Sequence, residues 1–534
     1  MNPKTVLSEL KHDFPASIVV FFVAMPLCLG IALASGAPLF SGIIAGIVGG
    51  MVVGSASKSA IGVSGPAAGL AVIVMAAIAS LGSFQAFLAA VVLAGVLQIV
   101  MGYLRLGTIA YYFPTSVIKG MLSGIGVIII LKQIPHALGY DKDFEGNFSF
   151  DYGNGVISNL QAIVAGITPA AVIITIISMA ILLAWETSFF KKYRIFQMLQ
   201  GPLVVVAVGI LLTNLFSRGI LPFELDSEHL VNIPVADTVR DFLAQFTIPD
   251  FSFLANPSVY WTAVVLAVIA SLETLLCVEA TDKLDPYKRV TPTNRELKAQ
   301  GLGNIVSGLI GGLPITQVIV RSSANITFGA RTKLSAIFHG FFLLISAVAI
   351  PTVLNMIPLA TLACILFVVG YKLAKPSLFK GMYKLGWDQF IPFMVTVLAI
   401  VFTDLLKGIG IGLVVAIFYI LRGHYHNAYA LVKTTKGAVD HYKLTLAEEV
   451  SFLNKGSILQ LLNRIPDNTA VTIDCSATKV IDYDVIEIIR DFKINAKNRN
   501  ITVVVKSVPG IDETPAPGEA GEARAEKKKI VEQE

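Results

Sequence analysis

Long apolar stretches alternate with short polar ones along most of the chain, and this alternation predicts the order of the elements. About 14 apolar segments can be recognised, and several are shorter than the roughly 20 residues that a straight membrane span requires. They begin near residues 16, 39, 66, 85, 115, 165, 201, 259, 298, 315, 334, 357, 389 and 408. The pattern predicts a polytopic α-helical membrane protein whose transporter domain covers residues 13–430.

The charges between the segments predict their orientation. Lysine and arginine mark the cytoplasmic side of a membrane protein. Here they concentrate in loops after even-numbered segments, whereas the two longest loops after odd-numbered segments are mainly acidic. The basic loop residues are Lys58, Arg105, Lys191, Lys192, Arg194, Lys283, Lys288, Arg289, Arg295, Lys298, Arg331, Lys333, Lys372, Lys375, Lys380 and Lys384. We therefore expect a plasma-membrane or bacterial inner-membrane protein with both termini, including residues 1–12, in the cytoplasm.

Two apolar segments are interrupted by glycine and proline at matching places. The sequence Gly62-Val63-Ser64-Gly65-Pro66 precedes the short apolar run 67–81, and Gly311-Gly312-Leu313-Pro314 precedes a short run that carries Arg321. Proline suits the first turn of a helix but not its interior. Each break therefore predicts a helix N-terminus at membrane depth, with unpaired N–H groups and a partial positive charge. Paired breaks of this kind point to a transporter's binding site, and these two would attract an anion.

The two halves of the chain resemble each other in spacing. The first and eighth segments start near residues 16 and 259, and the break prolines are Pro66 and Pro314, so both pairs are about 245 residues apart. With seven segments in each half, the second half must enter the membrane upside down relative to the first. This predicts inverted repeats at about 13–216 and 257–425, with the paired breaks meeting near the midplane.

Small and apolar side chains surround both breaks, which leaves backbone N–H groups as the main predicted anion donors. The predicted substrate-binding residues are Ser64, Gly65, Pro66, Ala67, Ala68, Val318, Ile319, Val320 and Arg321. A guanidinium near the second helix start would add a full positive charge to the partial charge of the peptide groups. Arg321 has an alternative interpretation, in which its side chain extends to the inner membrane surface.

Glu273 is the strongest single candidate for an ionisable residue with a functional role. It lies in an otherwise uncharged apolar run, 263–278, where an ionisable group is costly and usually faces a cavity or a partner. The alternative is a salt bridge that only holds helices together. Glu273 and Arg321 could also pair with each other in the absence of substrate, which would couple cation binding to anion binding.

Composition supports a membrane transporter and argues against other classes. The chain is 55% hydrophobic and 14% charged, with a mean hydropathy of +0.73 and a net charge of +5. Four cysteines and seven histidines form neither a CxxC pair nor a cluster, so we predict no metal site and no disulfide framework. No Walker sequence and no serine–histidine–acid set is present. We therefore predict no enzyme, no organic cofactor and no nucleic-acid partner.

Beyond about residue 432 the chain becomes more polar. The runs 470–474 and 501–505 have the character of strands, and residues 484–497 have an amphipathic helical pattern between them. Strand, helix and strand over this length predict a small α/β domain with a parallel pair of strands, at 431–507. Residues 508–534 are rich in Pro, Gly, Ala, Glu and Lys and are predicted to be disordered.

Several of these motifs together resemble the SulP family of anion transporters. The motifs are Ala24-Met25-Pro26-Leu27, Ala34-Ser35-Gly36-Ala37-Pro38, Ser64-Gly65-Pro66-Ala67, the stretch 271–282, and Gly311-Gly312-Leu313-Pro314 through Arg321. The tail, with Val471-Thr472-Ile473-Asp474 and Val480-Ile481-Asp482, is similar to a STAS domain, the usual cytoplasmic appendage of that family. The resemblance covers residues from about 10 to 507.

The resemblance implies an architecture and a mechanism. It implies core and gate domains in a seven-plus-seven inverted topology, a homodimer in the lipid bilayer, and an elevator-like movement. It also implies an anion held between the third and tenth helices on backbone N–H groups near Ala67, Ile319 and Val320. Substrates in the family include sulfate, bicarbonate, chloride and dicarboxylates.

Two departures from the family pattern bear on coupling and regulation. Sodium-coupled bicarbonate members carry an aspartate at the position of Glu273 and a hydroxyl residue at the position of Cys277. A thiol is a poor ligand for a hard cation, so Glu273 and Cys277 as the coupling residues favour H⁺ over Na⁺, although either ion is compatible. In the tail, Asp482-Tyr483-Asp484 lacks the serine of phosphorylation-regulated STAS domains.

The sequence predicts a secondary active transporter of small inorganic anions, with sulfate or bicarbonate as the leading substrate. One alternative is a nucleobase permease of the same architecture. That class requires carboxylates on both the eighth and tenth helices, and Arg321 stands where the second would be expected. The other alternative is an anion channel, or a membrane signalling protein with a STAS output.

Overall fold

The computed structural model describes residues 3–108, 113–141, 166–192, 200–221, 223–236, 238–403, 405–426, 428–436 and 439–508. The chain divides into two compact units, Met1–Leu413 and Val414–Glu534. Arg194 and the predicted disordered tail, apart from Val508, lie outside the described residues.

The first unit consists almost entirely of helices, because each of its apolar runs is long enough to form several buried helical turns. The helices are α1 (Pro3–Ala34), α2 (Leu39–Ala56), α3 (Ala68–Leu81), α4 (Phe84–Tyr103), α5 (Thr115–Leu138), α6 (Pro169–Trp185), α7 (Ser188–Lys192), α8 (Gly201–Ser217), α9 (Val239–Ala244), α10 (Pro257–Leu284), α11 (Thr293–Leu309), α12 (Ile319–Thr327), α13 (Leu334–Ala349), α14 (Pro351–Leu354), α15 (Leu359–Leu373), α16 (Pro376–Lys384) and α17 (Trp387–Phe402), followed by α18 (Leu405–His426), in which the division between the units falls. Among the described residues, six helices have the length and apolar character needed to cross a membrane, and five apolar helices are shorter.

Several helices approach each other closely through paired glycines. The pairs are Gly95 with Gly301 between α4 and α11, Gly126 with Gly370 between α5 and α15, and Gly50 with Gly340 between α2 and α13. A Cβ atom on Gly301 would lie 2.5 Å from the carbonyl oxygen of Gly95. Backbone-to-backbone contact of this kind is typical of membrane helices, whose association depends on close packing because lipid is as apolar as the helix surfaces.

The two interrupted segments meet in a two-stranded antiparallel sheet, which the sequence analysis did not predict. Strand β1 (Ser64–Pro66) pairs with strand β2 (Ile315–Gln317), and Gly65 stands opposite Thr316. All residues of both strands are buried. Their backbone groups therefore need partners inside the protein, and the strands supply these to each other.

The helices after the breaks begin later than the prolines suggest. Helix α3 follows Ala67 and helix α12 follows Val318, and both of these residues are in an extended conformation. The helical run expected at 67–81 after Pro66 is confirmed within one residue, whereas the helix expected directly after Pro314 begins only at Ile319. Strand pairing keeps the chain extended past each proline, and tertiary hydrogen bonds outweigh the preference of proline for a first helical turn.

The second unit contains a mixed four-stranded sheet. Its strands are β3 (Tyr429–Lys436), β4 (Val439–Leu446), β6 (Ala470–Asp474) and β8 (Thr502–Lys506), in the spatial order β3-β4-β6-β8. Strands β3 and β4 form an antiparallel hairpin, whereas β4, β6 and β8 are parallel. The parallel pair expected from the tail pattern is confirmed in β6 and β8. The antiparallel hairpin was not predicted from the sequence.

The remaining elements of this unit complete its core. They are the short parallel strands β5 (Glu449–Val450) and β7 (Val480–Ile481), and the helices α19 (Lys455–Arg464) and α20 (Tyr483–Asn495). Asp482 is the N-cap of α20, and its side chain accepts a hydrogen bond from the N–H of Asp484. Its apolar face buries Val485 and Ile489 among the residues of the sheet.

Candidate functional site

The strand pair brings the starts of α3 and α12 into one region of the molecule. The chain leaves the ladder at opposite ends, into α3 after β1 and into α12 after β2. Neither Ala67 nor Val318 provides a side-chain cap for the helix that follows it. The first N–H groups of both helices therefore lack the acceptor that a Ser, Thr or Asp cap would provide, and they form an electropositive feature suited to an anion.

One face of α10 contacts both helix starts. The carboxylate of Glu273 takes a hydrogen bond from the backbone N–H of Gly69 in the first turn of α3. The thiol of Cys277, one helical turn further along, takes one from the N–H of Ile319 at the start of α12. Among the described residues, Oε2 of Glu273 has no hydrogen-bond partner. Glu273 thus lies beside the start of α3, and Cys277 lies beside the start of α12.

Helix α10 is also tied to strand β2. The backbone N–H of Gln317 donates to the Thr274 hydroxyl at 3.3 Å, and the Gln317 side chain donates to the Thr281 hydroxyl at 3.1 Å. These bonds join the strand to the same helix that carries Glu273. A shift of the helix relative to the strand pair would break both hydrogen bonds.

Arg321 is completely buried, so the interpretation that it extends to the membrane surface is wrong. Its Nη2 lies 3.3 Å from the sulfur of Cys28, and a Cβ on Gly65 would lie 2.2 Å from its Nη1. Within the described part of the chain, its Nε and Nη1 have no hydrogen-bond acceptor. The expected pair with Glu273 is not formed in this structure. The guanidinium instead lies against the strand β1 backbone.

A cavity of about 420 Å³ opens next to the start of α12. Ile319 and Val320 line it on one side, and residues from α1, α6, α8 and α15 line the others. Its wall is mainly apolar, with an ion pair between Lys372 and Glu186 at 2.6 Å. Of the predicted binding residues, only Ile319 and Val320 are among those that line this cavity.

A buried polar stripe on α11 supports the strand pair and was missed by the sequence analysis. Gln300 donates to the Ser64 hydroxyl at 2.8 Å, and Asn304 both accepts from the N–H of Ile315 at 2.6 Å and donates to its carbonyl at 3.2 Å. Glu296, one turn earlier, hydrogen-bonds the Ser57 hydroxyl and accepts from Gln300. The i, i+4, i+8 spacing, which places Glu296, Gln300 and Asn304 on one face of the helix, was the available signal.

Comparison with known proteins identifies the family. Residues 10–403 match the model of the sulfate permease family. The chain belongs to this family. It is 26% identical to the bicarbonate transporter BicA of Picosynechococcus, over 83% of this chain and 75% of that protein. It is 27% identical to the putative sulfate transporter YvdB of Bacillus subtilis, over 78% of this chain and 74% of that protein.

Solved structures share the fold. The transmembrane domain of a cyanobacterial BicA matches with a TM-score of 0.60 and 23% identity, covering 77% of this chain and 97% of that one. The structure of SLC26A9 matches with a TM-score of 0.73 and 14% identity, covering 95% of this chain and 85% of that one. Membership in a family of membrane anion transporters confirms the prediction that the chain is not an enzyme.

Proposed function

We propose that this protein is a secondary active transporter of a small inorganic anion, with sulfate or bicarbonate as the leading substrate. The observation that carries the proposal is the pairing of β1 with β2, which holds together two helix starts whose N-cap residues, Ala67 and Val318, provide no side-chain acceptor. The names of BicA and YvdB support these two substrates. The anion would be bound by N–H groups near Ala67, Ala68, Ile319 and Val320.

Arg321 would act from behind the anion. The guanidinium lies against Gly65 and does not line the cavity, and no carboxylate among the described residues neutralises it through an ion pair. A positive charge in so apolar a region is weakly screened. It would therefore raise the potential at both helix starts without direct contact with substrate.

Glu273 is the proposed coupling group. Its carboxylate accepts a hydrogen bond from the N–H of Gly69, in the first turn of α3. The negative charge of Glu273 therefore acts directly on the electropositive helix end that would hold the anion. Protonation of Glu273 would remove the negative charge of its carboxylate and so favour anion binding. Proton binding and anion binding would thereby be coupled. The neighbouring thiol of Cys277 suits H⁺ as the coupling ion better than Na⁺, because a hard cation prefers oxygen ligands.

An inverted seven-plus-seven repeat of about 14 segments is the proposed architecture, and the glycine contacts support it. Helix α4 corresponds to the fourth apolar segment of the sequence and α11 to the ninth, so their contact joins the fourth segment with the ninth. Exchanging the two halves converts it into a contact of the eleventh with the second, which is α13 with α2, joined through Gly340 and Gly50. The contact of α5 with α15 converts into itself. This agreement is what a two-fold relation between the halves requires.

Elevator-type alternating access follows from the same arrangement. The strand pair, α10 and α12 would form the moving core, and α5, α6, α8 and α15 the gate. The cavity between α12 and α15 supports this division, since it separates one group from the other. The second unit would be a regulatory STAS domain, the chain would form homodimers, and both termini would be cytoplasmic.

The test is uptake of radiolabelled sulfate and bicarbonate into proteoliposomes, under imposed proton and sodium gradients applied separately. Saturable, gradient-driven uptake of one anion is expected. Unsaturable current, or uptake of labelled uracil in preference to both anions, would contradict the proposal.

The role of Glu273 is tested in the same vesicles. Glu273→Gln should abolish gradient-driven accumulation while leaving exchange of anion across the membrane, because the substituted amide cannot gain or lose the coupling proton. Glu279→Gln is the matched control, since Glu279 lies on the same helix, is exposed and pairs with Lys283. Full accumulation by Glu273→Gln would remove the assigned role.

A further inference from the structure

A second, separate pocket on the first unit is lined by positive charge. It has a volume of about 210 Å³ and is formed by three loops, which follow α2, α10 and α12. Its lining residues are Ser57, Lys58, Ser59, Ala60, Arg289, Arg331, Thr332 and Lys333. Four of these are cations, and no carboxylate is among them. Neither the transport mechanism nor the helix starts make use of this pocket.

The arginines of the pocket are held in place by other groups. Arg289 donates from Nε to Asp285 at 2.7 Å, and from Nη1 to the carbonyl of Arg331 at 2.7 Å. Arg331 donates from Nη1 to Glu9 at 3.3 Å, and its backbone N–H donates to Asp13. Because these bonds fix both side chains, the arginines lose little conformational entropy when a ligand binds.

The two lysines make no ion pair among the described residues. Within that part of the chain, the Lys333 ammonium group donates to a neutral acceptor, the carbonyl oxygen of Ser55, at 2.7 Å. Lys58 has an exposed side chain with no hydrogen bond or ion pair within the described residues. Arg289 and Arg331 are each paired to an acid, and the buried carboxylate of Asp13, which accepts from the N–H groups of Arg331 and Thr332, offsets part of the lysine charge. The two ammonium groups repel each other across a small volume, and a bound dianion would remove the repulsion.

A hydroxyl group completes the donor set. The Ser59 oxygen accepts from the N–H of Gly62 at 3.2 Å, which leaves its hydroxyl proton available to a ligand in the pocket. Ammonium, guanidinium and hydroxyl donors around one small cavity are the combination that recognises phosphate oxygens. A phosphate monoester carries a charge of about −1.5 to −2 near neutral pH, which is opposite in sign to the two lysine ammonium groups.

We propose that this pocket binds a phosphate group through Lys58, Lys333, Arg289 and Ser59, at a site distinct from the transport site. The group is that of a soluble phosphate or of a phosphomonoester lipid head. The loop of Lys58 is tied to α12, because Asn325 donates to the carbonyl of Ile61 at 2.9 Å and the N–H of Val63 donates to Ser322 at 3.0 Å. Occupancy therefore stabilises the loops that hold the broken segments.

The test measures the melting temperature of the purified full-length protein in two arms. In detergent, inorganic phosphate is titrated against chloride at constant ionic strength. In nanodiscs, phosphatidylcholine is compared with phosphatidylcholine containing phosphatidic acid. A higher melting temperature with inorganic phosphate in detergent identifies a soluble phosphate as the ligand. A higher melting temperature with phosphatidic acid alone identifies a lipid head. No rise in either arm overturns the proposal.

Variants decide whether the effect belongs to this pocket. Lys58→Gln and Lys333→Gln should each weaken the apparent affinity for the active probe about tenfold, since each removes one charge-assisted contact. Lys384→Gln, an exposed lysine on α16 outside the pocket, should bind as the wild type does. Two lysine variants guard against a folding defect in either one. Unchanged affinity in both would assign the phosphate effect to another place and overturn the proposal.

Discussion

Gly69 is the residue on which the contact between Glu273 and α3 depends. A Cβ atom there would lie 2.5 Å from Oε1 of Glu273. The carboxylate end is flexible and would move, so the fold should tolerate the change while the hydrogen bond from the Gly69 N–H is lost. Glycine at this position therefore serves the carboxylate contact and not helix formation, for which alanine is better.

Gly69→Ala should reduce gradient-driven anion uptake at least tenfold, because the displaced carboxylate no longer acts on the helix start. The melting temperature should stay near that of the wild type. Both are measured on the same preparation, by vesicle uptake and by thermal unfolding in detergent. Gly423→Ala is the control, since a Cβ there meets open space. Wild-type uptake by Gly69→Ala would show that the contact has no role in transport.

A buried ionic cluster outside the transport site makes stability depend on pH. Asp141 is hydrogen-bonded through its two carboxylate oxygens to His136 and His229. Burial alone would raise the pKa of Asp141, but the hydrogen bonds from both histidines lower it below its ordinary value. The hydrogen bond to Asp141 raises the pKa of His229, with smaller contributions from the charges of Asp141, Asp226 and Glu228.

The signs of these shifts define a pH window. Stabilisation from the raised pKa of His229 is present below its ordinary pKa and is lost as the pH rises through the raised value. Stabilisation from Asp141 is present above its ordinary pKa and is lost as the pH falls through the lowered value. The cluster is therefore most stabilising at mildly acidic pH.

His229→Gln should lower the stability by about 1 kcal/mol near pH 5.5, and by progressively less as the pH rises through the raised pKa. The measurement is the difference in melting temperature between variant and wild type across this range. His12→Gln, which alters a histidine outside the cluster, should not follow the same course. A His229→Gln difference that stays constant with pH would refute the ionic explanation.

At the scale of elements, contacts between backbones determine which helices neighbour each other. The α4–α11 contact has glycine on both sides, and the carbonyl of Gly95 leaves no room for a side chain at Gly301. Gln98 on α4 also bonds to Asn304 on α11 at 2.6 Å. Since Asn304 holds Ile315 of β2, the spacing of these two helices bears directly on the strand pair.

Gly301→Val should destabilise the protein by about 1–3 kcal/mol or more, because the helices must separate to admit the side chain. The expected result is a lower melting temperature and a smaller monodisperse peak in size-exclusion chromatography. Gly423→Val places the same side chain in a helix with open space around it and reports the propensity cost alone. Equal losses in the two variants would show that the close contact contributes nothing.

At the scale of the whole molecule, transport requires a path between the proposed core and gate. The cavity beside α12 lies between elements assigned to both, and half-buried Val369 on α15 lines it. A large side chain here would fill space that the substrate must cross without disturbing the glycine contacts that hold each group together.

Val369→Trp should reduce uptake at least tenfold and leave the melting temperature within a few degrees of the wild-type value. Val348→Trp on α13 is the control, because Val348 is about half exposed and does not line the cavity. Uptake and thermal unfolding are measured on both. Normal transport by Val369→Trp would place the substrate path elsewhere.

Local patterns in the sequence were enough to assign the membrane class, the apolar helices and the position of the two breaks. Hydrophobic runs fix helices locally, since each must satisfy its own backbone in lipid. A Gly-Pro interruption is likewise readable from adjacent residues. The sequence also singled out Glu273, because a lone carboxylate in an apolar run is conspicuous without any knowledge of its neighbours.

Tertiary structure alone decided how the breaks are used. Strand pairing between residues about 250 positions apart moved both helix starts past their prolines, and no local preference encodes such a pairing. The direction of the Arg321 side chain was likewise set by its neighbours. Gly65 leaves space for the guanidinium, and the sulfur of Cys28 contacts it. Local composition places a charge in the membrane, but only the surrounding packing determines which way it points.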